Sequence, residues 1–168
     1  MTPRAGHAAV LLAAVLLAAA SLAGCLYDQP VAPGTAEAVD AHVLGTWKCV
    51  NPEGEKVETL TVTEKPDHRY RAEFDEGDES PTVFVAYAVT FQSERILNAQ
   101  EFVHGEPRKW TLARFTLHTP NVLRLEAARN DVFGDATTAD QREKILAAAL
   151  KSGVLFTDFC VCMRAAKD

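Results

Sequence analysis

From His42 onward the chain alternates apolar and polar residues in short runs, each closed by residues that favour turns. The alternation predicts strands over 43–50, 56–64, 68–75, 81–91, 94–102, 108–118 and 121–128. The separators Asn51-Pro52-Glu53-Gly54, Lys65-Pro66-Asp67, Glu76-Gly77-Asp78, Gly105-Glu106-Pro107 and Thr119-Pro120-Asn121 supply the turn chemistry. Strands of this length joined by short turns predict an antiparallel meander, either a sandwich or an up-and-down barrel.

The period changes once, late in the chain. Arg142, Ile145, Leu146, Ala149 and Leu150 fall at helical spacing and predict a helix over about 138–152 with one apolar stripe. Thr138-Ala139-Asp140-Gln141 fits a capping box, and Gly153 is placed to end the helix. An eighth strand over 155–163 follows. The expected fold is therefore mainly β, eight antiparallel strands with one helix before the last.

The first residues carry a different pattern. Residues 8–20 are almost wholly Ala, Val and Leu after a single charge at Arg4, the layout of an export signal. The run is shorter than the ~20 residues of a membrane-spanning helix. It ends in Leu22-Ala23-Gly24-Cys25, which resembles the lipobox of bacterial lipoproteins. That resemblance implies cleavage after Gly24, acylation of Cys25, and a bilayer as partner. By the same resemblance, Leu26 directly after the cysteine, rather than Asp, implies the outer membrane, with the domain facing the periplasm, if the source has two membranes. Residues 26–40 carry Pro and Gly without an apolar period and read as a flexible tether. Such a coil of about 15 residues spans roughly 20 Å. The expected organisation is a signal over 1–24, lipidated cysteine and tether over 25–40, and one β-rich domain over 41–168.

Removing the signal takes one charge from the chain's 17 Lys and Arg, leaving 16 basic against 23 acidic residues, a net of −7. This balance argues against nucleic acid as a partner and leaves membrane attachment to the acyl chains. It also leaves three cysteines, Cys49, Cys160 and Cys162, in an oxidising compartment. That count gives one disulfide and one thiol over.

Gly45-Thr46-Trp47 opens the first strand and resembles the G-x-W of lipocalins and related calycin barrels. In that family the Trp lies across the closed end of an eight-stranded barrel beneath an Arg near the end of the last strand, which implies the pair Trp47 and Arg164. The resemblance implies a closed or half-open barrel. An antiparallel register that puts Trp47 opposite Arg164 also puts Cys49 opposite Cys162. A two-residue slip keeps the same faces and gives Cys49 with Cys160 instead. Trp47 reads equally well as an ordinary core tryptophan. Two features depart from lipocalins: the helix precedes the last strand, and Thr119-Pro120-Asn121 stands where their second signature belongs.

The sequence carries no catalytic, cofactor or metal motif. His42, His68, His104 and His118 are scattered, without zinc spacing, and there is no nucleophile elbow or phosphate loop. The acidic run 73–79 lacks the ligand spacing of a calcium loop and reads as a charged hairpin tip. Cys160-x-Cys162 puts two sulfurs on one strand face, a weak metal signal beside the disulfide reading. No enzymatic activity is expected.

The strand 82–91 is apolar on both faces, so it is either covered on both or lines an interior. Tyr87, Phe91, Phe102, Trp110 and Leu112 are the candidate lining of an internal cavity for a small apolar or amphipathic ligand. The competing expectation is a filled core in a barrel that acts through its surface within an envelope assembly.

Overall fold

The computed structural model describes residues 27–166 apart from positions 53, 55, 56, 76, 78, 79, 130, 135 and 137. The signal, the lipobox and Cys25 lie outside the described residues, as does part of the acidic run.

A 3₁₀ turn at Ala41–Val43 leads into β1 (Gly45–Val50), β2 (Val57–Lys65), β3 (Arg69–Asp75), β4 (Thr82–Phe91), β5 (Glu94–Val103), β6 (Glu106–Thr119) and β7 (Val122–Ala128). The helix α1 (Ala139–Ser152) and β8 (Phe156–Arg164) complete the chain. Each strand pairs with the next and β8 pairs with β1, so the eight strands close into an antiparallel barrel with one helix before the last strand.

Of the two registers the sequence allows, closure follows the one with Trp47 opposite Arg164 and Cys49 opposite Cys162, without the two-residue slip. Cys49 and Cys162 form a disulfide, stitching first strand to last across 113 residues of sequence. Gly45 has φ 120°, and a Cβ there would stand 3.1 Å from Arg164 Nη1. Glycine at this position therefore gives the guanidinium room to lie over the indole.

Three hairpins close on pairs of residues with positive φ: Asp67–His68, Gln92–Ser93 and His104–Gly105. Two positive-φ residues match the right-handed twist of the flanking strands. The β5–β6 turn is thus tighter than the separator Gly105-Glu106-Pro107 suggests, and Pro107 falls inside β6 opposite Phe102. It sits near the strand's start, where a missing N–H is tolerated.

Two apolar clusters lie on opposite sides of the sheet. The first gathers Trp47 and Cys49 of β1, Leu60 and Val62 of β2, Tyr70 and Phe74 of β3, Ala88 of β4, Leu123 of β7, and Cys160 and Cys162 of β8. Leu97 of β5 and Phe115 of β6 pack against it. Every strand contributes, so this cluster is the barrel interior. It is filled: Trp47, Leu60, Leu123, Cys49 and Cys162 are at most 1% exposed.

The second cluster lies outside. Val89, Ile96 and Leu112 on the outer faces of β4, β5 and β6 pack with Leu146 and Ala149 of α1, and with Phe133, Leu155, Val31 and Ala32. The helix carries its capping box as expected, Gln141 N–H donating to Thr138 Oγ1 (3.2 Å) and Thr138 N–H to Gln141 Oε1 (3.1 Å).

The first residues described depart from the tether expectation. Tyr27 exchanges two backbone hydrogen bonds with Trp110 (2.8 and 2.7 Å), and Val31 and Ala32 are buried. Asn98, fully buried on the outer face of β5, accepts at Oδ1 from the N–H groups of Val31 and Ala32 and donates to the Ala32 carbonyl. Glu37 N–H donates to the Ala88 carbonyl. Residues 27–40 are a strap on the barrel wall, so the packed domain already includes Tyr27 and does not wait for the expected boundary at Ala41. All eight strands, the helix and both clusters of the described fold are contained in the chain from Tyr27 on.

Candidate functional site

The closed end of the barrel is built around two arginines. Arg164 lies over the Trp47 ring, its Cζ 4.1 Å from the centroid, while its nitrogens donate to the carbonyls of Leu44 (2.9 Å), His42 (2.5 Å) and Pro120 (3.0 Å). Trp47 Nε1 donates to the Val43 carbonyl at 2.9 Å, which ties the 3₁₀ turn across the barrel floor. Arg95, 5.4 Å from the Phe115 ring centroid, pairs with Glu37 and Asp40 and donates to the Tyr70 hydroxyl. That hydroxyl also accepts from the Asp40 N–H at 2.7 Å. Burial pulls the Asp40 carboxyl up, but its hydrogen bonds to His42 and the Arg95 charge outweigh it and hold the carboxyl below its ordinary value. The pair Trp47 and Arg164 does structural work at this floor.

Beside the disulfide stands the third cysteine. Cys160 Sγ lies 3.6 Å from Cys162 Sγ, and the sulfurs of Cys49, Cys160 and Cys162 all lie within 4.8 Å of one another. Burial, with the Glu58 carboxylate as a lesser cause, pushes the Cys160 thiol up to about 12. Two of the three sulfurs are bonded to each other, so only Cys160 has a thiol to offer a metal.

The five candidate cavity residues do not meet inside the barrel. Strand parity settles this: Ala88 and Phe84 of β4 belong to the interior cluster, whereas Tyr87, Phe91 and Leu112 pack in the outer one. Phe102 and Trp110 pair with Val83 and Gln100 on that same outer face. Trp110 meets the Tyr87 ring edge-on, 5.9 Å between centroids. Burial pushes the Tyr87 hydroxyl up, against a smaller opposing effect of Arg69. The physical reason is that the second half of β4 is covered on both sides: Ala86 and Ala88 face inward, where eight strands converge, and Tyr87, Val89 and Phe91 pack in the outer cluster with the helix and strap.

The outer wall therefore holds the surfaces available to other molecules. Beneath the helix and strap it is covered. Next to them, the buried Glu126 takes two hydrogen bonds from Arg114, at 2.6 and 3.0 Å, with Arg114 also 4.8 Å from the Phe156 ring centroid. The Arg114 hydrogen bond is the chief reason the Glu126 carboxyl sits below its ordinary value.

At the closing seam exposed apolar residues stand among charged ones, with Arg124 of β7 opposite Val161 of β8. Val50 and Val161 stand opposite each other on β1 and β8, and Met163 stands opposite Lys48 of β1 and Val122 of β7. Val50, Val161 and Met163 are exposed, Met163 at 65%. Phe159, 45% exposed, is the extra residue of β8 where its register with β7 shifts between Leu125 and Glu126. It meets the ring of the interior residue Phe74 edge-on, so it lies at the open end of the barrel and not on this seam.

On the far side, β3, β4 and β5 hold a groove of about 720 Å³. Val83, Val85 and Phe102 line it together with Lys65, Arg69 and Arg71. Of the five aromatic and aliphatic candidates read from the sequence, only Phe102 lines this groove. Its basic residues were missed, because they come from a hairpin with no motif. The signal available was Lys65, Arg69 and Arg71 at alternate, outward positions in an acidic chain. No family model, no curated protein and no solved structure matches the chain.

Proposed function

We propose that this chain is a lipid-anchored envelope protein that acts through its outer wall, as an interaction subunit of an envelope assembly. The observation that carries this reading is the filled interior together with the exposed Val50, Val161 and Met163 at the closing seam. An interior packed by Trp47, Leu60 and Leu123 has no room for a ligand, and exposed apolar residues on the outer wall suit another protein's apolar face. Attachment rests on the lipobox and Cys25. The lipocalin-like signature Gly45-Thr46-Trp47 belongs here to the architecture of the floor and brings no ligand with it.

A photo-cross-linking residue at position 163, in cells making the full chain, is expected to trap one discrete partner. The same residue at Glu143, on the exposed face of α1, is expected to trap none. Val161→Lys should abolish the product from position 163 without lowering the amount of protein. Absence of any product, or a product that is only a second copy of this chain, overturns the reading. Cys25→Ala is expected to release the protein from membranes; a Cys25→Ala chain still carrying lipid overturns the anchor.

A further inference from the structure

We infer that the groove on the outer face of β3, β4 and β5 is a binding site for a single-chain amphiphile with an anionic head. The inference is independent of the lipid anchor and of the seam.

Charge is the first reason. The chain has six more acidic than basic residues, yet Lys65, Arg69 and Arg71 gather on one wall of the groove. The register explains how: Lys65 stands opposite Arg69 on adjacent strands, and Arg71 is one outward position further along β3. Like charges placed directly across a sheet destabilise it, so this arrangement works against the fold unless an anion joins it. Arg71 is paired with Glu73 on its own strand. Lys65 and Arg69 have no ion pair among the described residues, and one carboxylate, Asp67, lines the groove.

The floor is the second reason. Val83 and Val85 of β4 and Phe102 of β5 face outward between these cations and the β5–β6 turn. They are half-buried, left uncovered by the helix and strap that shield Val89 and Ile96 further along the same strands. A cationic rim beside an apolar floor matches a molecule with a charged end and a hydrocarbon end. The volume lies within the roughly 300–1,000 Å³ usual for small-molecule sites.

The closed barrel decides against a peptide. β3, β4 and β5 are each paired on both sides, so the wall presents no strand edge. An extended peptide laid here would leave its backbone groups without partners, a cost an alkyl chain does not carry.

The test uses residues 26–168 and octyl phosphate as a monomer, read by calorimetry, with inorganic phosphate and octyl glucoside as the half-ligands. Saturable one-to-one binding of octyl phosphate is expected, with both half-ligands at least tenfold weaker. Arg69→Glu should weaken it by about tenfold or more, the scale of losing one charge-assisted contact. Val85→Ser should weaken octyl phosphate while leaving inorganic phosphate unchanged. Met163→Ser, at the seam, should change nothing, and thermal melts report whether each variant is folded. Inorganic phosphate binding as tightly as octyl phosphate overturns the inference in favour of a plain anion site. Octyl glucoside binding equally well overturns it in favour of a plain apolar one. Binding to anionic phospholipid vesicles without binding of the monomer overturns it in favour of a membrane surface.

Discussion

At the scale of single residues, the odd cysteine is the group whose behaviour is most sharply set by its surroundings. Cys160 is buried beside a disulfide it does not join, and its thiol is pushed up to about 12. Thiolate is the reactive form, so lifting a thiol from 9 to about 12 cuts its thiolate fraction near pH 8 by about a thousandfold. Folded protein at pH 8 is expected to react with a thiol-specific disulfide reagent at least that much more slowly than protein in urea, and to release one equivalent when unfolded. Rapid reaction of the folded protein would mean that the thiol is not enclosed. The same shift links stability to pH. Because the folded thiol holds its proton more tightly than the unfolded one, its contribution is fully present below pH 9. It is lost as pH rises toward about 12. Unfolding in urea at pH 8 and pH 10 should therefore show the lower midpoint at pH 10, with Cys160→Ala reducing the difference. An equal difference in that variant would assign it to other groups.

At the scale of elements, one side chain ties the backbone of the strap to the barrel wall. Asn98 meets the N–H groups of both Val31 and Ala32 and the Ala32 carbonyl, in a site fully closed to water. Asn98→Leu removes all three bonds and leaves those backbone groups buried without partners, a cost of about 2–4 kcal/mol. Hydrogen exchange at Val31 and Ala32 is expected to quicken strongly in this variant, while the β1–β8 amides stay protected. Unchanged exchange at the strap would show that apolar packing alone holds it. This element also marks where the sequence stopped being legible. The strands and the capped helix are written in local signals, alternation and Thr138 with Gln141. The β1–β8 closure is legible only through the lipocalin-like resemblance that pairs Trp47 with Arg164, with Cys160 or Cys162 left open as the partner of Cys49. The strap has no period, because its partners are backbone groups and a lone amide 66 positions away. Strand β4 is apolar on both faces, so its pattern gives no sign of which face lies inside, and Tyr87 and Phe91, which it offers as cavity lining, face outward. The groove was illegible for a related reason. Arg69, Val85 and Phe102 become neighbours only when three strands fall into register.

For the whole molecule, the strap changes how a lipidated chain would sit on its bilayer. A free coil over 26–40 would hold the barrel roughly 20 Å away. Instead Tyr27 is already fixed to Trp110 on β6, and only Leu26 separates it from Cys25. Two residues reach at most about 7 Å, so an acylated Cys25 would bring that part of the wall against the lipid headgroups. The residues there suit such a boundary: Trp110 is half-buried, and Lys109 faces Asp28 at the surface. The barrel itself is built for water and not for spanning a membrane, since its interior is apolar and Arg69, Arg71, Arg114 and Arg124 lie on the outward faces of its strands. The two tryptophans separate a seated barrel from a leashed one. In lipidated protein reconstituted with brominated phospholipids, Trp110 fluorescence, read in Trp47→Phe, is expected to be quenched. Trp47 fluorescence, read in Trp110→Phe, is expected to stay bright, because that ring is sealed in the barrel floor. Inserting about fifteen Gly and Ser residues between Leu26 and Tyr27 should restore the Trp110 signal. Bright Trp110 without the insertion would mean that the strap lets go when the chain is anchored, returning residues 26–40 to the leash that their composition first suggests.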